Sequence, residues 1–339
     1  MRAVINAALD ATAVPAPSDD AVAFHRTLPG YEPTPIHRLD AIATELGVGA
    51  VQIKDESRRL GLPAFKILGA SWAVERALRD DPAVHTLVAA SAGNHGRAVA
   101  HAAALRELAC QVFLPERSLA VRRAAIVAEG AEVSVVNGTY EDAVAAAARA
   151  ARKDGTALIA DVGDGGPAEW AIDGYATLFT EAAEQATYDL ILAPVGVGSL
   201  AAAAARHGAQ VSAQVIGIEP TNAACLSASL EHGVRTPVPT PGTAMAGLDC
   251  AEVSPAAWPT LRRGIAGTVT VSDDEADHAM RELSANGLTI GESGAAPLAG
   301  LRVLQKDPDC RGLREQLATG RHTRVLLIAT EGATGTHAS

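Results

Sequence analysis

Apolar positions along this chain follow two spacings. The runs HTLVAAS (85–91), ACQVFLP (109–115), AEVSVVNG (131–138) and TALIADVG (156–163) are short and mostly apolar, as strands of a covered sheet are. Between them, GRAVAHAAALREL (96–108), LAVRRAAIVAEG (119–130) and YEDAVAAAARAARKDG (140–155) repeat their apolar residues at helical spacing. Strand and helix alternate, which predicts a parallel sheet covered by helices.

The same reading extends outward from this block. Residues 1–30 look irregular, IHRLDAIATELG (36–47) reads as a helix closed by Gly47, and AVQIKDES (50–57) reads as a strand. A longer helix is expected at about 167–187. DLILAPVGVGSLAAAA (189–204) is then a strand, a glycine turn and a helix, followed by the strand AQVIGIEP (213–220). The Pro/Thr-rich RTPVPTPGTAMAG (235–247) reads as loop, and TRVLLIATEG (323–332) as a buried strand closing in a glycine turn. With no repeat period and no low-complexity linker, two α/β sheets that exchange chain segments fit better than two domains in tandem.

Composition narrows the class. The chain has 339 residues, enough for two core-bearing units, and its 3% aromatic content leaves the core to Ala, Val, Leu and Ile. A formal charge of −11 argues against nucleic acid or an anionic membrane surface as partner. It does not argue against an anionic cofactor, because backbone donors alone can hold a phosphate. No apolar run reaches membrane-span length, and MRAVINAALDATAVPAPSDD lacks a leader's apolar core and cleavage site. Cys110, Cys225, Cys250 and Cys310 form no C-x-x-C pair and read as reduced thiols. A cytoplasmic protein without a metal site is expected.

Three stretches carry candidate chemistry. GVGSLA (196–201) would point backbone N–H groups at a phosphate from the start of a helix. It also satisfies G-x-G-x-x-A, and Glu219 closes the next strand about 20 residues on, the outline of a dinucleotide site. Its position outside the first strand–helix unit, and Pro194 in the strand before it, weigh against that reading. In GLPAFKILGASWAVERAL (61–78), Lys66 is the one charge in an apolar centre, between Phe65 and Ile67, Leu68, Gly69 and Ala70. Desolvation makes a lysine amine nucleophilic, as bonding to a carbonyl cofactor requires; the plainer alternative is a lysine snorkelling from a helix start. In SAGNHGRAVA (91–100) a turn of small residues leads into a helix, with Asn94 at its tip. Its N–H groups could take a carboxylate and the Asn94 amide a ring hydroxyl, although an ordinary capped turn would look the same.

Taken together, FKILGA, SAGNHG, the glycine loop and the closing strand resemble the fold-type II (tryptophan synthase β-like) enzymes of pyridoxal 5'-phosphate. These include threonine and serine dehydratases, cysteine synthases and tryptophan synthase β-chains. The resemblance is stronger to the diaminopropionate ammonia-lyases. It runs from YEPTPIHRLDAIATELGVGAVQIKDESRRLGLPAFKILGAS through WAIDGYATL (170–178), IEPTNAACLSASL (218–230), TAMAGLDC (243–250) and GESGAAPLAGL (291–301) to TEG (330–332). It implies two parallel-sheet α/β domains with the cofactor between them: residues 1–69 with 177–339, and an inserted domain 70–176. It further implies that Lys66 carries the cofactor as a Schiff base and that Asn94 bonds its 3-hydroxyl. Gly196, Val197, Gly198, Ser199 and Leu200 would bind its phosphate, and Thr330 would face its pyridine nitrogen. Ser91, Ala92, Gly93 and His95 would meet the substrate, and a homodimer is the family habit. A neutral hydroxyl at the ring nitrogen gives a weaker electron sink, suited to elimination rather than transamination.

One position departs from the pattern. These ammonia-lyases resemble one another in an aspartate just before GNHG, associated with the D-isomer of the substrate; here it is Ala92. A second aspartate, associated with the L-isomer, is matched by Asp161 in TALIADVGD, with Asp164 close by. The expected activity is therefore β-elimination from a small L-amino acid such as L-2,3-diaminopropionate, giving a 2-oxo acid such as pyruvate and ammonia. Asp161 or Lys66 would take the Cα proton. Alternatives are an L-serine or L-threonine dehydratase, a β-replacement synthase, an NAD(P)-dependent oxidoreductase and a non-catalytic binding protein of the same fold.

Overall fold

The computed structural model describes residues 2–333. They form two compact units: the chain up to Phe65 together with the chain from Tyr175 on, and Lys66–Gly174. The strands in chain order are β1 (Ala3–Ile5), β2 (Ile36–Arg38), β3 (Ala50–Asp55), β4 (Thr86–Ala89), β5 (Ala109–Pro115), β6 (Glu132–Val136), β7 (Thr156–Leu158), β8 (Leu190–Pro194), β9 (Gln214–Pro220), β10 (Gly267–Val271) and β11 (Arg324–Ala329).

The larger unit holds a sheet in the order β1-β10-β9-β8-β11-β3-β2. Its inner strands run parallel, while β1 and β2 are antiparallel edges. Every residue of β8 and β10 is buried, because helices cover both faces of a parallel sheet. The helix Glu292–Lys306 contributes Leu298, Leu301 and Leu304 to a core that includes Ile216, Ile218, Val269 and Leu327. The smaller unit has the all-parallel sheet β6-β5-β4-β7. Its helix Lys66–Asp80 buries Ile67 through Val74 and Ala77.

Four expectations change. Residues 36–38 are not helix but β2, paired with β3 at Ile36↔Lys54, and the helix is Asp40–Leu46. Residues 1–30 are not wholly irregular: β1 pairs with β10 at Ala3↔Val269, and Asp19–His25 is a helix that buries Ala21, Val22, Phe24 and His25. The helix expected at 167–187 is two, Pro167–Gly174 and Ala176–Gln185, divided where the chain passes from the smaller unit to the larger. The strand expected to reach 163 stops at Leu158, because β4 supplies partners only as far as Val88↔Leu158. Helices Cys225–His232, Trp258–Gly264, Asp273–Ala285 and Arg311–Leu317, with β10, were not anticipated.

Candidate active site

In the smaller unit, Lys66 is the first residue of its helix. Its Nζ donates to Asp161 Oδ2 at 3.1 Å, and both side chains are only about a fifth exposed (20% and 18%). Asp161 lies in the loop after β7, whereas Asp164 is exposed. The turn Ser91–Asn94 leaves β4 and enters the helix Asn94–Leu105 with Gly93 as its extended N-cap. The Ser91 hydroxyl accepts from the Gly93 N–H at 3.2 Å. The turn is tight at Gly96, where a Cβ would lie 2.0 Å from the Ser91 carbonyl oxygen. His95, on the first turn of that helix, is 4% exposed. Its Nε2 lies 2.9 Å from the Ile159 carbonyl, and its Nδ1 faces Asp161 Oδ2 at 3.9 Å. Burial alone would raise the Asp161 pKa, but the His95 and Lys66 charges and the Lys66 hydrogen bond outweigh it and hold the carboxyl down to about 2. The fold thus brings Lys66, His95 and Asp161 together, Lys66 and Asp161 being 95 positions apart in the chain.

In the larger unit, β8 ends at Pro194 and the helix Ser199–Val211 begins after the turn at residues 195–198. Pro194 sits in the ladder opposite Ile218, and the following Val195 N–H donates to the Ile218 carbonyl at 2.8 Å, so the proline did not interrupt the strand. Gly198 is the N-cap at φ 93°, which favours glycine, and a Cβ there would meet Leu261 Cδ1 at 2.6 Å. Among the described residues no side chain caps this helix, and no acidic residue stands in its first turn. Its N-terminal N–H groups, without carbonyls a turn earlier, fit a phosphate in charge and chemistry. Thr330 follows β11; it is 5% exposed, and its carbonyl accepts from the Phe65 N–H at 3.1 Å. Among the described residues its hydroxyl has no hydrogen-bond partner, so it remains available to a ring nitrogen.

Glu219 does not serve a ribose. It is fully buried in β9, where its carboxylate accepts from the N–H groups of Leu226 (2.7 Å) and Ser227 (2.8 Å) and from the Ser227 hydroxyl (2.6 Å). The acid that completed a dinucleotide outline is thus a cap for the helix Cys225–His232.

A buried ion cluster went unnoticed in the sequence. Lys54, Glu56, Arg59 and Glu181 have fully covered side chains. Glu181 accepts from Lys54 Nζ (2.7 Å), Arg59 Nη1 and Nη2 (2.7 and 2.8 Å), the Tyr31 hydroxyl (2.8 Å) and the Thr34 N–H (3.2 Å). Arg59 also makes a forked pair with Glu56 at 2.8 and 2.6 Å. The cluster ties the segment that leads into Lys66 to the end of the larger sheet. Its one sequence signal was the charge-dense KDESRR beside a buried strand.

A lysine beside a carboxylate, a small-residue turn before a helix and, separately, a glycine loop whose N–H groups suit a phosphate are the features that an enzyme of a phosphate-bearing carbonyl cofactor needs. Residues 27–331 match the family model described as pyridoxal-phosphate dependent enzyme, and the chain belongs to that family. Within it, the chain belongs with the diaminopropionate ammonia-lyases. It is 34% identical to the diaminopropionate ammonia-lyase of Salmonella typhimurium, over 93% of this chain and 89% of that one. A crystal structure of the Escherichia coli diaminopropionate ammonia-lyase, in complex with an aminoacrylate-PLP azomethine reaction intermediate, superposes with a TM-score of 0.89. It is 31% identical and covers 98% of this chain and 94% of that one. The biosynthetic L-threonine dehydratase of Salmonella typhimurium is 28% identical, over 83% of this chain and 54% of that protein. The fold is that of the fold-type II enzymes.

Proposed function

We propose that this protein is a PLP-dependent carbon–nitrogen lyase that eliminates ammonia from L-2,3-diaminopropionate. With water, one substrate yields pyruvate and two ammonia molecules. The observation that carries the reading is the Lys66–Asp161 contact at 3.1 Å beside the turn 91–96, on a chain whose relatives are ammonia-lyases.

Lys66, Asn94, Gly196, Val197, Gly198, Ser199, Leu200 and Thr330 are the residues that would hold the cofactor. When bound, it supplies the electron sink that acidifies the substrate Cα–H. Asp161, kept ionised by Lys66 and His95, takes the Cα proton of the L-isomer. The Cα–H electron pair then moves toward Cβ, and the β-amine leaves with its own bonding pair after taking a proton. The turn Ser91, Ala92, Gly93 and His95 receives the substrate carboxylate through backbone N–H groups at a helix start. Ala92 has no carboxylate to act on the opposite face, so the D-isomer finds no base there. A second copy of the chain as partner and a cytoplasmic site of action belong to the same reading. Among the described residues no helix is long and apolar enough to cross a membrane.

The test is the visible spectrum of purified protein with borohydride trapping at Lys66, followed by pyruvate release from L- and D-diaminopropionate and L-serine. Release from the L-diamine far above the others supports the proposal. Preference for L-serine, which the bare Ala92 turn would also suit, would replace it with a dehydratase.

A further inference from the structure

We propose that Ser254 is a positioning residue for the phosphate-binding turn: its backbone N–H holds the Val197 carbonyl, and so fixes the direction of the donors that face the anion before any cofactor binds. The proposal rests on the reading of residues 196–200 as the phosphate site and adds what sets that site's geometry.

In a planar trans peptide the carbonyl and the N–H of the following residue point to opposite sides. The Gly198 N–H therefore faces away from whatever holds the Val197 carbonyl. That carbonyl accepts from the Ser254 N–H at 2.8 Å. The carbonyl before it, of Gly196, accepts from the Cys225 thiol at 3.5 Å. These two carbonyls are tied back into the larger unit, which turns the N–H groups of Val197 and Gly198 the other way. The turn cannot do this by itself. Gly198 stands at φ 93°, and glycine takes either sign of φ at little cost, so its own chain leaves the peptide between Val197 and Gly198 able to turn over. Turned over, that peptide would aim a carbonyl oxygen at the anion and withdraw a donor. A hydrogen bond from outside the turn decides between the two states.

The donor is itself held. Ser254 is fully buried, and its carbonyl accepts from the N–H groups of Ala257 (3.0 Å) and Trp258 (3.1 Å), where the helix Trp258–Gly264 begins. Pro255, next in the chain, disfavours helical backbone at Ser254. The helix is pressed against Ser199–Val211: a Cβ on Gly264 would lie 2.7 Å from Ala205 Cβ. Val253, Ala257 and Leu261 close in behind Gly198, where a Cβ would meet them at 3.6, 3.7 and 2.6 Å. The Ser254 N–H thus belongs to a wall that packing sets, with or without a phosphate.

The test titrates the cofactor-free full chain with pyridoxal 5'-phosphate and with pyridoxal, which lacks the phosphate, each followed by its visible band. The ratio of the two affinities isolates what the phosphate site contributes. In Ser254→Pro, which removes the N–H, the ratio is expected to fall about tenfold or more while pyridoxal binds as before. Ser254→Ala keeps the N–H and is expected to hold the native ratio to within about twofold. If Ser254→Pro loses the native circular dichroism, an ester in place of the residue 254 amide in the Ser254→Ala chain removes the same hydrogen, and the same fall is expected. An unchanged ratio in a folded chain without that N–H overturns the proposal. So does an equal loss in Ser254→Ala, which would make the hydroxyl the active group. A native chain that binds pyridoxal as tightly as its phosphate overturns the reading of residues 196–200 first, and this proposal with it.

Discussion

Replacing Glu181 with glutamine tests how the fold holds the segment that delivers Lys66. The carboxylate takes five hydrogen bonds, three of them from Lys54 and Arg59, which have no solvent to turn to. Burial opposes its ionisation, but Arg59 and Lys54 override that and draw its pKa from 4.5 to about 2. A carboxyl whose folded value is depressed stabilises the fold above its unfolded value and loses that contribution as pH falls through the folded one. For a drop from 4.5 to about 2 the contribution is roughly 3 kcal/mol at neutral pH. Removing one partner of a buried pair gives about 3–5 kcal/mol, a second view of the same effect and not an addition to it. Urea unfolding followed by circular dichroism should show Glu181→Gln destabilised by that amount at pH 7, with the gap to the native chain closing as pH falls from about 5 toward 2. Glu184→Gln, on the same helix but paired with an exposed Arg26, is the control and should hardly move the midpoint. A loss below about 1 kcal/mol at pH 7, or a gap that ignores pH, would refute the view that this cluster anchors the segment.

Other outcomes follow from the same geometry. Burial raises the Glu219 carboxyl from 4.5 to about 7 against its hydrogen bonds, so its contribution is complete below 4.5 and is lost as pH rises through about 7. Glu219→Gln should remove that pH dependence, roughly 3 kcal/mol, from unfolding curves measured across this window. Gly96→Ala forces a Cβ against the Ser91 carbonyl and should cost the smaller unit about 1–3 kcal/mol, with weaker cofactor binding by fluorescence titration. Lys66→Ala should abolish borohydride-trappable cofactor and turnover together; full turnover would refute its role. Ala92→Asp should bring in consumption of D-diaminopropionate while retaining the L-isomer, read by pyruvate release from each.

The chain alone determined the alternating pattern of residues 85–158, because strands covered on both faces read as apolar runs and their helices as periodic ones. It also marked Lys66, a single charge where the helix Lys66–Asp80 buries its neighbours, and the glycine turn before Ser199, where φ excludes most side chains. The edge strands were illegible because their partners are remote: Ala3 pairs with Val269, and Ile36–Arg38 has too few residues to show a period. Only the tertiary structure decided what the isolated acids do. Glu219 suited a ribose by spacing alone until burial made it a cap. Asp161 was one of two loop aspartates until folding set it against Lys66, and His95 was a turn residue until its ring met both Ile159 and that carboxylate. Local pattern specifies which elements form. Which charges meet depends on contacts across many tens of residues, and those exist only once the sheets have assembled.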